Sequence, residues 1–254
     1  FRRVLFRSDI GNFGWIDIQR LRNQGVNLFG VGPFLQWGAD HVVVPADSKA
    51  KTIGDLKGKK IGVFSRTNID WILDQAIAKN KYGLDVEKDF VVHEGAVGLL
   101  RGLIESGQLD AAHMYNNLTP AMVAGGKVRV LYQMREIIEQ LGLPETPQLM
   151  YSTTGEYATA HPQNVRAFLA AYREGVEILK TKDDVWNEFG KQLEMTPDSI
   201  QLLKEEMRVD LWQTFRPTTE ADIKKVSEFL LKEAGPSVLG FTELKDGFMT
   251  RDFQ

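Results

Sequence analysis

The 254-residue chain contains no cysteine, and this absence excludes several kinds of chemistry. Disulfide bridges, thiolate nucleophiles and zinc sites with cysteine ligands all require a thiol. An excess of basic residues is also missing, because 31 Lys and Arg face 34 Asp and Glu, for a net charge of −3. Without a positive field of the kind that draws a domain onto nucleic acid, we expect no nucleic-acid partner.

Long apolar runs are absent as well. The longest are only a few residues, far short of the roughly 18 that a membrane span requires. Hydrophobic residues make up 43% and charged residues 26%, the proportions of an ordinary globular protein. The length permits one large α/β domain or two lobes of about 100 to 130 residues each.

The first eight residues, FRRVLFRS, show neither helical nor strand periodicity. They resemble the translation of a sequencing-adapter oligonucleotide, so we interpret residues 1–8 as an assembly scar. The alternative is a natural, frayed N-terminus. Removing the three arginines would take the net charge from −3 to −6. On this interpretation the native start, including any signal peptide, lies upstream of Asp9.

From Lys51 onward, short apolar runs alternate with segments of helical periodicity, which is typical of parallel α/β structure. We expect four parallel strands connected by three helices. The expected strands are 60–64, 89–93, 109–114 and 128–132, and the expected helices are 67–80, 96–106 and 119–124. Upstream we expect a strand ending at 9–11, a helix at 13–23 and a buried strand at 41–45. Downstream we expect a strand at 149–153, an amphipathic helix at 164–180, helices from 196 and 218, and a packed tail at 241–254.

Three phrases occur in a characteristic order: TIGDLKGKKIGV at 52–63, GQLDA at 107–111 and HPQNVRAFL at 161–169. In this order they resemble the periplasmic substrate-binding proteins of ABC importers, in the branch that handles nitrate, taurine, aliphatic sulfonates and thiamine-pyrimidine precursors. The resemblance covers residues 9–253. It implies a type II binding-protein fold of α/β class, in which each lobe is a mostly parallel sheet flanked by helices. Lobe 1 would comprise 9–47 and 152–254, and lobe 2 would comprise 48–151, joined by two hinge strands.

The same resemblance implies a function and a location. The chain would capture a small polar or anionic solute in an interlobe cleft and deliver it to membrane permease subunits. It would be a monomer without cofactor or resident metal, placed in the periplasm or held outside the cytoplasm by a lipid anchor. Two alternatives stay open: an enzyme on the same scaffold, of the thiamine-pyrimidine or menaquinone-precursor type, and a cytoplasmic effector-binding sensor.

In open parallel sheets, ligands collect beyond the carboxyl ends of strands, where helix N-termini present unpaired N–H groups. Three loops meet this description, and their residues form the expected site: Asn12, Phe13, Gly14, Ser65, Arg66, Thr67, Asn68, Tyr115, Asn116 and Asn117. The residues Ser65, Thr67 and Asn68 are equally well explained as helix caps. An arginine at 66 could clamp a carboxylate, sulfonate or phosphonate. At Tyr115 the chain departs from the family, where a Trp-containing phrase is expected.

Catalytic motifs are sparse. The sequence has no HExxH, GxSxG or GxxxxGK[ST] pattern. Two of its four histidines, His93 and His113, end neighbouring expected strands, so a metal site shared with Glu94 is an alternative to consider. We expect Trp37 and the other tryptophans to be packing residues.

Overall fold

The computed structural model describes residues 8–254, so all but the last of the eight residues interpreted as a scar lie outside the described residues. By its packing the chain divides into two units. Unit 1 comprises the N-terminal stretch up to Trp37, Pro144–Lys182 and Arg208–Gln254. Unit 2 comprises Gly38–Leu143 and Asp183–Met207. Each unit has its own sheet and its own helices.

The strands, in chain order, are β1 (Ile10–Gly14), β2 (Leu28–Gln36), β3 (His41–Pro45), β4 (Lys60–Val63), β5 (Val91–Glu94), β6 (Ala111–Met114), β7 (Val128–Gln133) and β8 (Pro147–Thr154). The helices are α1 (Trp15–Asn23), α2 (Ile69–Tyr82), α3 (Val86–Asp89), α4 (Val97–Glu105), α5 (Thr119–Ala124), α6 (Met134–Gln140), α7 (Gly155–Ala160), α8 (Pro162–Thr181), α9 (Asp183–Gln192), α10 (Pro197–Asp210), α11 (Thr219–Ala234) and α12 (Pro236–Leu239). The expected mixed α/β class is confirmed.

The sheet of unit 1 has the order β1-β8-β2, and both pairings are antiparallel. This differs from the mostly parallel sheet that the sequence predicted for lobe 1. The strands β1 and β2 do run in the same direction, with α1 between them in the chain. However, β8 lies between the two strands and pairs with both, so no two parallel strands of this sheet are neighbours.

The sheet of unit 2 has the order β5-β4-β6-β3-β7. Its strands β5, β4 and β6 pair in parallel as expected, whereas β3 pairs antiparallel with both β6 and β7. The sequence analysis assigned residues up to 47 to lobe 1, but the structure pairs β3 within unit 2. A continuous apolar run such as Val42–Val44 can be buried in any sheet, so its pattern does not identify the neighbouring strands.

Local capping explains where two elements of unit 2 begin. The Asn68 side chain accepts hydrogen bonds from the N–H groups of Asp70 and Trp71, at 2.9 and 3.4 Å, so α2 starts at Ile69 instead of 67. The Asp85 side chain caps the short helix α3. Because α3 continues to Asp89, β5 starts at Val91, two residues later than expected.

The phrase TIGDLKGKKIGV serves as a folding motif. Its carboxylate at Asp55 accepts hydrogen bonds from the N–H groups of Lys51 and Thr52, both at 2.9 Å, and holds the 3-10 turn Ile53–Leu56. A side chain at Gly54 would meet the Tyr82 ring at 2.6 Å, so the turn packs closely on α2. The most specific phrase of the resemblance therefore has a structural explanation.

The core of unit 1 is built around α8. This amphipathic helix buries Val165, Leu169 and Val176, whereas Phe168 on the same apolar stripe is exposed. The tail also packs into this unit. In it, Phe248 is fully buried, and the backbone groups of Phe248 and Thr250 hydrogen-bond to Gly30 on the outer edge of β2. The tail therefore covers an edge that would otherwise be exposed.

Candidate functional site

Two of the expected loops lie side by side in unit 2. Because β4 and β6 are neighbouring parallel strands, their carboxyl ends lie at the same edge of the sheet. The loop 64–68 follows β4 and the loop 115–118 follows β6. The rings of Phe64 and Tyr115 stack with their centroids 4.4 Å apart and their planes at 35°. We refer to Phe64–Asn68 together with Tyr115–Asn117 as the β4–β6 edge.

Polar groups of the first loop mostly bond to one another. The Ser65 and Thr67 hydroxyls lie 3.0 Å apart, and Ser65 Oγ accepts a hydrogen bond from the Thr67 N–H. The helix cap is Asn68 alone, which confirms one of the three residues considered as caps. Besides its side-chain bonds, the Asn68 carbonyl accepts the N–H of Ile72 at 3.1 Å. Three N–H groups of the first turn of α2 are therefore already bonded to Asn68.

The Arg66 side chain is already engaged in ion pairs and is not free to bind an anion. Its guanidinium binds the carboxylate of Glu87, its Nε lies 3.1 Å from Glu94 Oε1, and a third nitrogen donates to the Val92 carbonyl at 3.4 Å. The Arg66 backbone N–H also donates to Glu94. Both carboxylates belong to unit 2, so the charge of Arg66 is balanced within its own unit.

The second loop is fixed by its backbone. The Tyr115 carbonyl accepts hydrogen bonds from the N–H groups of Leu118 and Thr119, at 3.0 and 3.1 Å. The Asn116 side chain is buried and its backbone N–H donates to Asp40 Oδ1 at 3.2 Å, whereas Asn117 is exposed. The residue Tyr115 is 42% exposed, so part of its side chain is accessible to solvent.

Sequence analysis missed the acidic residues of this region. Burial raises the pKa of the Tyr115 hydroxyl, and the negative charges of Asp40 and Asp70 raise it further. Both carboxylates are buried, Asp40 just before β3 and Asp70 in the first turn of α2. An acid in a first helical turn is common, because it interacts favourably with the helix dipole. Position alone therefore did not mark Asp70 as part of a site.

Beneath the β4–β6 edge lies a buried acid–imidazole pair. The imidazole of His113, in β6, donates from Nε2 to Asp74 Oδ2, in α2, at 2.8 Å, and both side chains are 1% exposed. The ring of His113 also packs edge-on against Phe64 and Trp71, with 6.1 Å between centroids in each case. In contrast, His93 lies on the exposed strand β5, and β4 separates it from His113. Among residues 8–254 no group of His, Asp and Glu side chains is arranged to hold a metal ion.

The remaining residues of the expected site, Asn12–Gly14, lie in unit 1. They form part of a strand and not a loop. The segment Asn12–Gly14 forms the end of β1, where Asn12 is opposite Tyr151 of β8. At Gly14 the chain passes directly into α1, which starts at Trp15 instead of 13. The Phe13 ring folds back over Gly11, where an added Cβ would approach it within 2.7 Å. The expectation that Trp15 and Trp37 are packing residues is confirmed, since each is 1% exposed.

A surface groove of about 1030 Å³ lies elsewhere in unit 1. Its walls include Asn27, Gly155, Arg166 and Phe253. It lies beside Thr154 at the end of the sheet where β1 begins, whereas Gly14 is at the other end of β1. This groove and the expected residues Asn12–Gly14 are therefore separate features of unit 1.

The folds of the two units and the βα loops at the β4–β6 edge define the class: an α/β protein of the periplasmic binding-protein type. The family model described as "NMT1/THI5 like" matches residues 7–184, which is more than half of the chain. The chain belongs to the NMT1/THI5-like family. No helix among the described residues combines the length and the apolar character needed to cross a membrane.

Solved structures share this fold. The alkanesulfonate-binding protein SsuA from Xanthomonas axonopodis pv. citri, bound to MOPS, matches with a TM-score of 0.75 and 20% identity over 96% of this chain and 80% of that one. The periplasmic aliphatic sulphonate binding protein SsuA from Escherichia coli matches with a TM-score of 0.70 and 19% identity over 90% and 76%. A DszB mutant in complex with biphenyl-2-sulfinic acid matches with a TM-score of 0.64 and 15% identity over 96% and 83%. A comparison with curated proteins gives no match.

Proposed function

We propose that this chain is the solute-binding component of an ABC-type importer. It captures a small polar or anionic organic solute and delivers it to membrane permease subunits outside the cytoplasm. The observation that carries the proposal is the β4–β6 edge, where two βα loops place an exposed tyrosine ring beside polar side chains. Family membership and the likeness of the fold to sulfonate-binding proteins support it.

The proposed binding residues are those of the sequence analysis without Arg66, whose guanidinium already binds two carboxylates. They are Asn12, Phe13, Gly14, Ser65, Thr67, Asn68, Tyr115, Asn116 and Asn117. Enclosure of the solute between the two lobes, a monomeric state and a lipid anchor stay predictions.

A thermal-shift screen tests the proposal. A solute that binds only the folded protein at 100 times its Kd stabilises it by about 2.7 kcal/mol, which raises the melting temperature by several degrees. The screen includes taurine, alkyl sulfonates, nitrate, pyrimidines, aromatic carboxylates and phosphonates. We expect at least one class to raise the melting temperature in proportion to the logarithm of its concentration. If every class leaves it unchanged, the solute-binding role is wrong.

The second candidate function is that of an enzyme on the same scaffold. The two roles differ in what happens to a bound solute, because a carrier releases it unchanged. Incubation of the protein with each stabilising solute, followed by mass spectrometry, separates them. We expect the solute to be recovered intact, and the appearance of a product would favour the enzyme.

A further inference from the structure

The tail of unit 1 contains the only Asp-Gly pair of the sequence, Asp246–Gly247, and the sequence has no Asn-Gly pair. In an Asp-Gly pair the backbone nitrogen of the glycine can attack the aspartate side chain, because glycine has no Cβ to hinder the approach. The five-membered ring that results opens to isoaspartate, in which the backbone runs through the former side-chain carboxyl carbon. The surroundings of this pair therefore decide how readily the chain modifies itself.

Both reacting groups lie in an exposed turn. Asp246 and Gly247 are exposed, and Gly247 has a φ of +76°, in the left-handed region. Among residues 8–254 the Gly247 N–H has no hydrogen-bond acceptor. The amide nitrogen can therefore approach the carboxyl group of Asp246 without breaking a hydrogen bond within the described chain.

A lysine of α11 holds the carboxyl group. The Lys224 Nζ lies 2.6 Å from Asp246 Oδ1 and 3.3 Å from Glu220 Oε1. The hydrogen bond from Lys224, together with its charge, holds the pKa of Asp246 below its usual value. A carboxylate anion is a poor electrophile, whereas a protonated acid can lose its hydroxyl as water. Lys224 therefore lowers the population of the reactive form and keeps one of its oxygens beside α11.

An arginine of α1 holds the backbone of the same turn. The Arg22 Nη2 donates to the Asp246 carbonyl at 3.2 Å, and Nη1 donates to the Leu28 carbonyl at 3.0 Å. An added Cβ at Gly247 would lie 3.3 Å from Arg22 Nη2, so the guanidinium lies close to the glycine. Arg22 thus ties the turn to the start of β2.

The pairing that follows the turn depends on the length of the backbone. The Phe248 carbonyl accepts the N–H of Gly30 at 2.9 Å, and the Thr250 N–H donates to the Gly30 carbonyl at 2.8 Å. Isoaspartate inserts one methylene group into the backbone immediately before these bonds. The modification should therefore loosen the tail from the edge of β2 that it covers.

We propose that the Asp246–Gly247 turn is the site at which this chain forms isoaspartate, and that the ion pair with Lys224 restrains the reaction. The Gly247 nitrogen forms a bond to Cγ of Asp246, a Cγ–O bond breaks, and the hydroxyl leaves as water with the amide proton. Water then adds to the ring. Opening at the backbone carbonyl gives isoaspartate, and opening at the side-chain carbonyl restores aspartate. The reaction needs no other reagent, and the inference is independent of the proposed solute-binding function.

Ageing of the full chain at neutral pH, followed by proteolysis and mass spectrometry, tests the inference. Cleavage after Glu243 releases the peptide 244–254, which contains both Asp246 and Asp252. We expect a second chromatographic peak of unchanged mass, whose fragmentation places isoaspartate at 246. Asp252 is the internal control, because it is also exposed but is followed by Phe253 instead of a glycine.

Variants and a free peptide measure the restraint. We expect Lys224→Met to form isoaspartate at least threefold faster than the wild type, and Lys224→Arg, which keeps a cation, to retain the wild-type rate. The matched control is Lys225→Met, which removes an exposed lysine from the next position of α11 and leaves the Lys224–Asp246 pair in place. The synthetic peptide 244–254 has no Lys224 and should react at least threefold faster than the full chain.

The variant Asp246→Glu checks the chemistry of the site. It keeps a carboxylate but would require a larger ring, so the second peak should disappear. Persistence of that peak in Asp246→Glu, or equal isoaspartate formation at 252 and 246, overturns the assignment of the site. Equal rates in Lys224→Met and the wild type, or in the full chain and the free peptide, overturn the restraint by Lys224.

Discussion

The imidazole of His113 and the carboxylate of Asp74 form a hydrogen bond of 2.8 Å at a position where neither side chain reaches solvent. The pair links β6 to α2, the two elements whose ends carry the β4–β6 edge. Since His113 also packs against Phe64, on which Tyr115 stacks, the pair supports the aromatic part of the proposed site.

Removing one partner should therefore cost stability. We expect Asp74→Ala to lower the free energy of unfolding by about 3 kcal/mol, because a buried polar ring loses its acceptor. Asp74→Asn should cost less, since an amide oxygen still accepts the hydrogen bond. Urea denaturation followed by circular dichroism measures both. The control is Arg101→Ala in the exposed Arg101–Glu105 pair, where a loss below about 1 kcal/mol is expected.

A second prediction concerns Gly38. Its φ is +92°, and an added Cβ would lie 2.7 Å from the Arg135 backbone nitrogen. We expect Gly38→Ala to combine backbone strain of about 1 to 2 kcal/mol with a clash that rigid backbone cannot relieve. The matched control is Gly25→Ala, because Gly25 has a φ of +84° and open space around its Cβ position. Equal losses in the two variants would show that the close approach to Arg135 has no effect on stability.

A third prediction concerns pH. Burial and Arg135 lower the pKa of His41 from 6.5 to about 4. Below pH 6.5 the unfolded chain takes up a proton on His41, whereas the folded chain does so only near pH 4. The unfolding free energy should therefore fall as the pH falls through this window, by about 3 kcal/mol in all, and His41 should contribute no slope above it.

The variant His41→Gln isolates this contribution, because it leaves the other titrating groups in place. Urea unfolding at intervals between pH 4 and 7.5 should give a shallower slope for His41→Gln than for the wild type. Parallel curves for the two proteins would contradict the assignment.

A fourth prediction concerns Arg66. Its guanidinium binds Glu87 and Glu94 at a partly exposed position, so Arg66→Ala should lower the unfolding free energy by less than about 1 kcal/mol. The affinity for any solute identified in the thermal-shift screen should stay within twofold of the wild type. A tenfold loss of affinity, measured by titration calorimetry, would show that Arg66 belongs to the binding site.

The local signals in the sequence were informative. Periodicity predicted that α8 is amphipathic, and Asn68, one of the three residues considered as caps, does cap α2, although the helix starts two residues later than expected. These features depend on residues within a few positions of one another, so a single sequence contains them. Alternation of strands and helices also predicted the α/β class.

The features that the sequence did not predict share a physical cause: they depend on pairing between distant segments. Apolar runs such as Val42–Val44 are compatible with several neighbours, so the insertion of β3 and β8 between other strands could not be read from them. The contacts of Arg66 with Glu87 and Glu94 join residues 21 and 28 positions apart. Likewise, Asp40 meets Asn116 across 76 positions. These contacts therefore became visible only with the fold.

The central position of β8 has a consequence for synthesis on the ribosome. All strands of the unit 2 sheet are encoded before residue 134, so this sheet can assemble as soon as that stretch has emerged. The β1 and β2 strands, although made before β8, cannot be bridged until β8 follows at Pro147–Thr154. Translation thus releases the earlier-made part of the polypeptide with unpaired strands, and the nascent chain depends on its later segment to protect them from aggregation.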